Sequence, residues 1–322
     1  MQEVFFLTRW ALRGMQYLYN SVTGQSIIFT VLISTLIIRC ISVFGDIKSR
    51  QSSYKMQRIQ PQLDKIRKKY ENDPQRLSVE QRKIMKENNV SMFGGCLPML
   101  ITLPLFFVFI AAFRQWGNEM MVKLILQLED NPQAAMETFK SFKFLWINNV
   151  WMPDNGFKAV VQPIGDFFAK TNKLPQLLYF KDNPEALQRF VDLGFFVKNA
   201  DGGYGVAAIT PELTSKYNAI VQPCLDLYTG YNNGWFIMPV LAGGTTFLSS
   251  WIMMRKQPTA EGAANTNKIM QLMMPLLSVF FCLSSNACFA VYWTFSNIFS
   301  LITSIIINQS FKKKAAEGDV IK

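Results

Sequence analysis

Five long apolar runs constrain the fold of this chain more than any other feature of its sequence. A helix needs about 20 apolar residues to cross the hydrocarbon core of a bilayer, and most of these runs approach that length. The last two are separated only by Ser284, Ser285 and Asn286, which are typical of a tight turn. The runs are residues 26–44, 96–113, 235–254, 270–283 and 287–307. They predict an all-α integral membrane protein with five transmembrane helices.

A single charged residue, Arg39, lies deep within the first apolar run. If a spanning helix starts near Ser26, Arg39 lies about 20 Å below the outer membrane boundary. A charge near the middle of a spanning helix costs roughly 2.5–3.5 kcal/mol on insertion scales. One interpretation is that the side chain extends to the inner headgroups, about 10 Å away. The other, which the depth favours, is that Arg39 faces a polar cavity or a partner.

The formal net charge of +11 is distributed unevenly along the chain. Residues 45–90 carry twelve basic and six acidic side chains, whereas residues 114–234 carry eleven basic and twelve acidic ones. Because positively charged loops stay in the cytoplasm, the first loop is predicted to lie inside and the second outside. The N-terminus is then outside, and the C-terminal tail with its three lysines at 312–314 is inside. This distribution argues against direct nucleic-acid specificity.

The sequence contains no histidine, which excludes histidine bases, Ser-His-Asp or Cys-His catalysis and histidine metal ligands. The apolar runs contain no acidic residue, so an intramembrane enzyme would lack paired acids or a nucleophile with its base. The cysteines are scattered without metal-ligand spacing, at Cys40, Cys96, Cys224, Cys282 and Cys288. We interpret them as small buried apolar residues. We therefore expect no catalytic residues, no metal and no cofactor.

The segments outside the spans have distinct patterns. Residues 1–25 are predicted to form an amphipathic helix on the outer surface, since aromatic side chains alternate there with Arg9 and Arg13. Within the extracytoplasmic loop 115–234, residues 157–231 are predicted to be an extra module peripheral to the main function, of a class that the pattern leaves open. The remaining boundaries are spans at 26–44, 95–114, 235–254, 270–285 and 286–309, a cytoplasmic loop at 255–269 and a basic cytoplasmic tail at 310–322.

Residues 45–94 are too charged to enter lipid and have helical periodicity. Asn72, Asp73 and Pro74 form a turn and helix-start signal, so the pattern predicts a cytoplasmic helical hairpin. Short glycine-containing links at Gly45 and at residues 94–95 are expected to join it to the spans. The hairpin is either a docking platform or simply a solvated element with mixed charge.

Polar side chains recur at helical spacing on several predicted spans. They are Thr35, Arg39 and Ser42 on the first span, Thr102 on the second, and Trp293 and Asn297 on the last. Small polar residues commonly serve only to hold transmembrane helices together. Because a lone charge such as Arg39 needs a hydrated or polar environment, we predict that these residues line one hydrophilic groove.

Four ordered motifs resemble those of one family. They are KMQRIQP at 55–61, GGCLPMLITLPLFF at 94–107, FLWI at 144–147 with Pro153 and Asp154, and MMPL at 273–276 with AVYW at 290–293 and Asn297. With these motifs the chain resembles the YidC family of membrane protein insertases, which also includes the mitochondrial and chloroplast inner-membrane insertases. The resemblance covers nearly the whole chain except residues 157–231.

The resemblance implies a fold of five transmembrane helices around a hydrophilic groove that opens to the cytoplasm and to lipid. Arg39 matches the family's groove arginine, and Thr35 and Trp293 match a polar and an aromatic groove position. Thr102 departs from the pattern, because the family often has glutamine there. The short tail, the large insert at 157–231 and the absence of a large extracytoplasmic domain are further departures.

The function implied by the resemblance is that of a membrane protein insertase and chaperone, not of an enzyme. A polar tail of a nascent membrane protein would enter the wet groove, drawn by Arg39, while apolar segments pass into lipid. Implied partners are nascent membrane proteins and the bilayer, with the ribosome, the signal recognition machinery and a Sec-type translocon as further candidates. The implied location is the bacterial cytoplasmic membrane. The alternative is a small-molecule or anion transporter using Arg39, although no internal repeat supports it.

Overall fold

The computed structural model describes residues 6–90, 97–169, 173–254 and 263–316. The described chain is mostly helical. Its helices are α1 (Phe6–Ser21), α2 (Ile27–Lys69), α3 (Pro74–Glu87), α4 (Leu97–Asp130), α5 (Pro132–Lys140), α6 (Ile164–Phe167), α7 (Leu178–Asp182), α8 (Pro184–Asp192), α9 (Pro211–Leu227), α10 (Ile237–Met254), α11 (Ala263–Ser284) and α12 (Ala287–Ala316). A 3-10 turn spans Leu174–Gln176.

One small sheet departs from the all-α prediction. Strands β1 (Phe196–Lys198) and β2 (Tyr204–Val206) pair antiparallel, with Phe196 opposite Val206. The connecting residues include Gly202, whose φ of +79° is a conformation that glycine adopts without strain. The sheet lies within the predicted insert, where short apolar stretches gave no clear helical or strand period.

The chain divides into two compact units. The first unit contains described residues 6–31, 108–169, 173–240 and 279–291. The second unit contains described residues 32–90, 97–107, 241–254, 263–278 and 292–316. The long apolar helices contribute residues to both units.

Helices α2, α10, α11 and α12 each contain a long apolar segment. Within the described residues, Ile27–Lys48 of α2 and Ala287–Ile307 of α12 are long and apolar enough to cross a membrane. Ile237–Ile252 and Gln271–Ser284 are apolar but shorter. The second predicted span falls on α4, whose side chains at 97–103 lie outside the described part, as does Cys96. Five transmembrane helices therefore remain a prediction.

The apolar helices expose large hydrophobic side chains to their surroundings. On α2, Ile41 and Phe44 are 71% and 77% exposed. Similar residues on the other helices are Val240, Phe247, Leu248, Leu272, Leu276, Phe280, Ile302 and Ile306. Water-soluble proteins rarely expose so much contiguous apolar surface, so these helices have the character of a lipid-facing bundle.

The predicted break at Gly45 is wrong. Helix α2 runs through Gly45 without interruption and is 43 residues long. A glycine costs a helix only about 1 kcal/mol relative to alanine, and the helix-forming residues on both sides outweigh that cost. The second predicted link, residues 94–95, lies outside the described residues.

The distal half of α2 and helix α3 form a helical hairpin with its own small core. Ile59, Leu63, Met85 and Val90 are buried together in it. At the turn, Asp73 accepts a hydrogen bond from the Arg76 backbone N–H at 3.0 Å and so caps α3. Because this apolar contact is local to residues 56–90, the hairpin has a core that does not depend on the apolar helices.

Replacing Leu63 with alanine should loosen the hairpin. Leu63 is 4% exposed, and truncating a buried leucine to alanine costs about 2–5 kcal/mol. Amide hydrogen exchange across α3 should accelerate, while exchange in α12 should not change. Val79→Ala is the control, since Val79 is 64% exposed on α3. Equal acceleration in both variants would show that the buried cluster does not hold the hairpin together.

The predicted insert at 157–231 contacts other parts of the first unit. Both terminal nitrogens of Arg189 donate to the Asp130 carboxylate at 2.8 Å, which joins α8 to the end of α4. Tyr217 donates its hydroxyl to the carbonyl oxygen of Gln162 at 2.7 Å. Burial raises the pKa of the Cys224 thiol to about 12, so this thiol is unreactive. Removing residues 157–231 would therefore leave the Asp130 carboxylate without its Arg189 partner.

Helix α4 explains these contacts. The sequence predicts that the chain leaves the membrane at residue 114, but the helix continues to Asp130. Along this extension Trp116, Met121 and Leu124 are buried, and α5 follows directly. Helix α1 also packs in this unit: Leu12 and Met15 are buried, whereas its aromatic residues Phe6, Trp10 and Tyr17 are exposed. The apolar face of α1 is thus divided between protein and surroundings.

A buried carboxylate organises the start of α10. Asp154 is fully buried and accepts from the backbone N–H groups of Trp235, Phe236 and Met238 at 2.7, 3.1 and 2.7 Å. It also accepts from the Trp146 indole N–H at 3.1 Å. A carboxylate at a helix N-terminus satisfies amides that have no partner inside the helix and is favoured by the helix dipole. The loop before α6 is thereby attached to α10.

Glycine is required beside this carboxylate. Gly234 has a φ of +79°, and a Cβ at this position would collide with the Asp154 carboxylate oxygen. Next to it, Asn233 accepts from the Asn149 backbone N–H and donates back to the Asn149 carbonyl oxygen, both at 2.8 Å. These two asparagines are fully buried, so their hydrogen bonds fix the loop against the chain entering α10.

Substituting Asp154 with alanine should destabilise the first unit strongly. Each buried donor left without a partner costs about 1–3 kcal/mol, and this change removes the acceptor of four donors. The thermal unfolding midpoint in detergent should fall by many degrees. The matched control is Asp226→Ala, because Asp226 is exposed and its carboxylate accepts only from Gln222 among the contacts described. A similar fall in both variants would contradict the capping role.

Candidate functional site

The deep charge of the sequence, Arg39, donates a hydrogen bond to a small side chain on another helix. Its Nε donates to the Ser296 hydroxyl of α12 at 2.6 Å. Ser296 is fully buried and also hydrogen-bonds the side chain of Tyr292, one turn earlier. Arg39 itself is partly buried. A guanidinium in apolar surroundings needs such acceptors, because an unpaired charge there is strongly disfavoured.

The surroundings of Arg39 on α2 are apolar on one flank and polar on the other. Leu36, Ile37 and Ile41 are exposed, between 45% and 71%. Thr35, one turn before Arg39, is buried at 2% exposure. Helical periodicity places the polar flank and the exposed apolar flank side by side on the same two turns. Arg39 therefore lies at the edge between a polar surface and an apolar one.

A second polar cluster joins three helices through hydroxyl and amide groups. Asn297 of α12 donates to the Thr246 hydroxyl of α10 at 2.7 Å. The Trp293 indole N–H donates to Ser278 of α11 at 3.1 Å and lies 3.3 Å from Thr246. Thr246 and Ser278 share a hydrogen bond of 3.0 Å. We name these four residues the hydroxyl cluster: Thr246, Ser278, Trp293 and Asn297.

The Trp293 ring also has an aromatic neighbour. Phe106 of α4 packs edge-on against it, with ring centroids 4.6 Å apart and planes at 77°. Such edge-to-face pairs contribute about 0.5–1.5 kcal/mol beyond the burial of area. Trp293 is consequently fixed both by its indole N–H and by its ring face, so its orientation is well determined.

The predicted site residues are brought together only in part. Trp293 and Asn297 share the hydroxyl cluster, and Arg39 contacts α12 through Ser296 instead. The Ser42 hydroxyl donates to the Arg39 carbonyl oxygen at 3.0 Å. Thr102 lies on α4, but its side chain is outside the described part of the structure.

Sequence reasoning missed the partners of these residues. Ser278 carried no distinguishing signal and Ser296 was overlooked, because a single serine in an apolar helix resembles any small packing residue. Thr246 belongs to a pair of threonines on the third apolar run, which indicated polarity but not a role. The spacing of Trp293, Ser296 and Asn297 over one turn of α12 is the signal that would have identified Ser296.

The chemistry open to the site is limited by the groups it contains. Among the described residues, no group of three or more cysteine, aspartate or glutamate side chains is arranged to hold a metal ion. The unreactive Cys224 thiol belongs to the first unit, whereas Arg39 and the hydroxyl cluster belong to the second. What the arrangement offers is one fixed cation and a set of neutral hydrogen-bonding groups among apolar helices.

Exposed apolar helices with a buried cation and buried hydroxyl groups define the class of the protein, an integral membrane protein with polar residues inside its helical bundle. The chain belongs to the family described as 60Kd inner membrane protein, the YidC family, whose sequence model matches residues 18–314. The matched range runs through the insert at 157–231 that the motif resemblance left out. The family resemblance predicted from the motifs is thus confirmed.

Three relatives illustrate the similarity. The membrane protein insertase YidC of Clostridium perfringens is 33% identical over 158 residues, which are 49% of this chain and 56% of the relative. The same-named protein of Clostridium tetani is 37% identical over 135 residues, 42% of this chain and 50% of the relative. That of Treponema denticola is 24% identical over 302 residues, 93% of this chain and 37% of the relative. The chain thus spans about half of these relatives' length or less.

Removing the shared hydroxyl of Thr246 should weaken the hydroxyl cluster. In Thr246→Val, Asn297 and Trp293 lose an acceptor while the volume is conserved, at a cost of about 1–3 kcal/mol. The thermal unfolding midpoint in detergent should fall. Thr303→Val is the matched control, because Thr303 donates only to the backbone carbonyl oxygens of Phe299 and Ser300 among its described bonds. No difference between the two variants would show that the cluster does not stabilise the bundle.

Proposed function

We propose that this protein inserts membrane proteins into the bilayer and that Arg39 attracts the polar segment of the incoming chain. Membership of the family and the similarity to proteins named membrane protein insertase YidC support the proposal. The observation that carries it is the state of Arg39, a partly buried guanidinium held by Ser296 on a helix with exposed apolar neighbours. Stability alone gives no reason to keep such a charge.

Arg39 would act through its electric field. Two opposite unit charges about 4 Å apart interact by about 4 kcal/mol at an effective dielectric constant of about 20. This is comparable to the cost of roughly 2.5–3.5 kcal/mol for one charge at the centre of a spanning helix. An acidic side chain of a client could therefore reach membrane depth beside Arg39 with little net penalty. Insertion of the client makes and breaks no covalent bond, so the proposed role of the protein is not that of an enzyme.

The exposed apolar side chains beside Arg39 would receive the apolar segment of the client. Ile37 and Ile41 on α2, and Ile302 and Ile306 on α12, are exposed next to the polar residues of their helices. A client segment that moves along this surface exchanges water for hydrocarbon at about 25 cal/mol per Å² of apolar area buried. Burial of the client's apolar segment then drives its polar tail across.

We assign the remaining predicted residues to a hydrophilic groove with Arg39. Trp293 and Asn297 are held by the hydroxyl cluster and are suited to form a rigid polar wall. Thr35 is one helical turn from Arg39, and Thr102 lies on α4. Ser42 contributes less, because its hydroxyl is used by the Arg39 carbonyl oxygen. Five transmembrane helices surrounding this groove complete the proposed arrangement.

The proposed setting follows from the charge distribution and the family. The protein would lie in the bacterial cytoplasmic membrane with its N-terminus outside and its C-terminus inside, since the basic segment 45–90 belongs in the cytoplasm. Clients would be nascent membrane proteins. The basic hairpin of α2 and α3 is a suitable docking element for the ribosome, the signal recognition machinery or a Sec-type translocon. A small-molecule or anion transporter is not favoured by the family.

Substitution of Arg39 tests the proposal directly. In proteoliposomes, Arg39→Ala should reduce insertion of a single-span client with an acidic translocated tail by about tenfold, which corresponds to about 1.4 kcal/mol. Arg39→Lys should retain much of the activity, because the charge acts as a field and not as a bidentate fork. A client with a neutral tail should be affected much less by either change.

The controls separate function from stability. Lys48→Ala removes an exposed charge further along α2 and should leave insertion unchanged. The unfolding midpoints of all variants should be measured in detergent, and only variants that remain folded should be compared. An equal loss for acidic and neutral tails, or for Arg39→Ala and Arg39→Lys, would refute the electrostatic role. Solute flux without insertion would favour the transporter.

A further inference from the structure

A polar cavity in the first unit is lined by none of the residues assigned to the proposed groove. Its volume is about 340 Å³. It is bounded by α4, by the loop that precedes α6 and by the turn between α11 and α12. The lining residues that matter are Arg114, Asn118, Trp151, Lys158, Asp166 and Asn286.

Gly117 of α4 allows the loop and the turn to approach the helix closely. A Cβ on Gly117 would lie 3.1 Å from the Asn286 amide nitrogen and 3.3 Å from the Trp151 ring. Asn286 uses this close approach to donate to the Phe113 carbonyl oxygen of α4 at 2.7 Å. The loop and the turn are therefore held tightly against α4, and the polar residues of all three segments meet at one place.

Two buried N–H groups at this cavity have no hydrogen-bond partner among the described residues. They are the side-chain amide nitrogen of Asn118 and the indole nitrogen of Trp151. Both residues are 5% exposed. An unpaired buried donor costs about 1–3 kcal/mol, so native proteins usually provide it with an acceptor. Both groups are donors, and the missing partner is therefore an acceptor.

The charged side chains at the cavity also favour a ligand with acceptor atoms, and specifically an anion. Arg114 is exposed at the mouth, and Lys158 lies beside it in the lining. Lys158 is paired with Asp166 at 3.0 Å, with both side chains about half exposed. The two cations and one carboxylate leave a net positive site. A positive site with N–H donors is suited to an oxyanion.

We propose that this cavity binds a phosphate oxyanion, supplied by the headgroup of a membrane phospholipid. Arg114 follows directly after the apolar run 96–113, which is the position of a residue at the boundary between hydrocarbon and headgroups. Phe157, next to Lys158, is 84% exposed, and Trp235 is 71% exposed. Exposed aromatic rings of this kind are typical of the headgroup level of a membrane. Free phosphate has the same chemistry and is the alternative source.

Different groups of the protein would contact the phosphate and the acyl chains of such a lipid. Arg114 and Lys158 would donate to the phosphate oxygens, and the buried N–H groups of Asn118 and Trp151 would turn toward the cavity to do the same. The acyl chains would lie along the exposed apolar side chains of the helices. The proposal goes beyond insertion, because none of these residues belongs to the proposed groove.

The experiment compares wild-type protein with the double variant Arg114→Gln/Lys158→Gln. Full-length protein, delipidated in detergent, is titrated with dioleoyl phosphatidylglycerol, with sodium phosphate at constant ionic strength, and with dioleoylglycerol, which has no phosphate. Binding is read by native mass spectrometry and by the thermal midpoint. We expect wild type to retain phosphatidylglycerol and the double variant to bind it about tenfold more weakly.

The matched control removes two charges elsewhere in the same unit. Lys140→Gln/Lys143→Gln changes two exposed lysines outside the cavity and should bind like wild type. Asn118→Leu, which removes one donor without changing charge, should also weaken binding. Binding of phosphatidylglycerol alone identifies a lipid headgroup site, whereas equal binding of sodium phosphate identifies a soluble oxyanion. Equal binding of dioleoylglycerol, or equal loss in the control, would overturn the proposal.

Discussion

Polar groups among apolar side chains must find hydrogen-bond partners, and the helices of the second unit depend on this constraint. Arg39 obtains one from Ser296, and Trp293 and Asn297 obtain theirs from Thr246 and Ser278. In each case the acceptor is a hydroxyl group on a neighbouring helix. Because hydrocarbon offers no replacement for these partners, each bond fixes which faces of α2, α10, α11 and α12 meet. The same bonds keep the polar residues inside the bundle and the apolar residues outside.

The sequence was sufficient to predict the polar residues but not their pairing. A charge in an apolar run is conspicuous, so Arg39 and its helical neighbours were predicted from composition and period alone. Ser296 and Ser278 were not, because small hydroxyl residues also occur wherever two helices pack closely. Ser42 was predicted for the groove because it follows Arg39 by three residues, yet its hydroxyl bonds to the backbone. The periodicity of polar residues in a sequence identifies a face of a helix, but it does not identify the residue to which each side chain bonds.

The fold was predictable where its signals were local. Helical periodicity and the turn at Asp73 and Pro74 indicated the helices of the hairpin, whereas Gly45 gave a false break because one glycine does not outweigh its helical neighbours. The contacts of the insert were missed, because Arg189 and Asp130 are far apart in the chain and leave no common pattern. Asp154 belongs to a motif that was recognised, but its capping of α10 links residues more than eighty positions apart.

The continuity of α2 has a mechanical consequence. At about 1.5 Å per residue, a helix of 43 residues is about 65 Å long, roughly twice the thickness of the hydrocarbon core. Arg39 and the hairpin core therefore lie on one helix, which continues through Gly45 and contains Pro61 in its distal part. The hairpin and the hydrogen bond between Arg39 and Ser296 are thus joined by a single stretch of helical backbone. A displacement of the hairpin would reach Arg39 along this helix to the extent that the helix does not bend at Pro61.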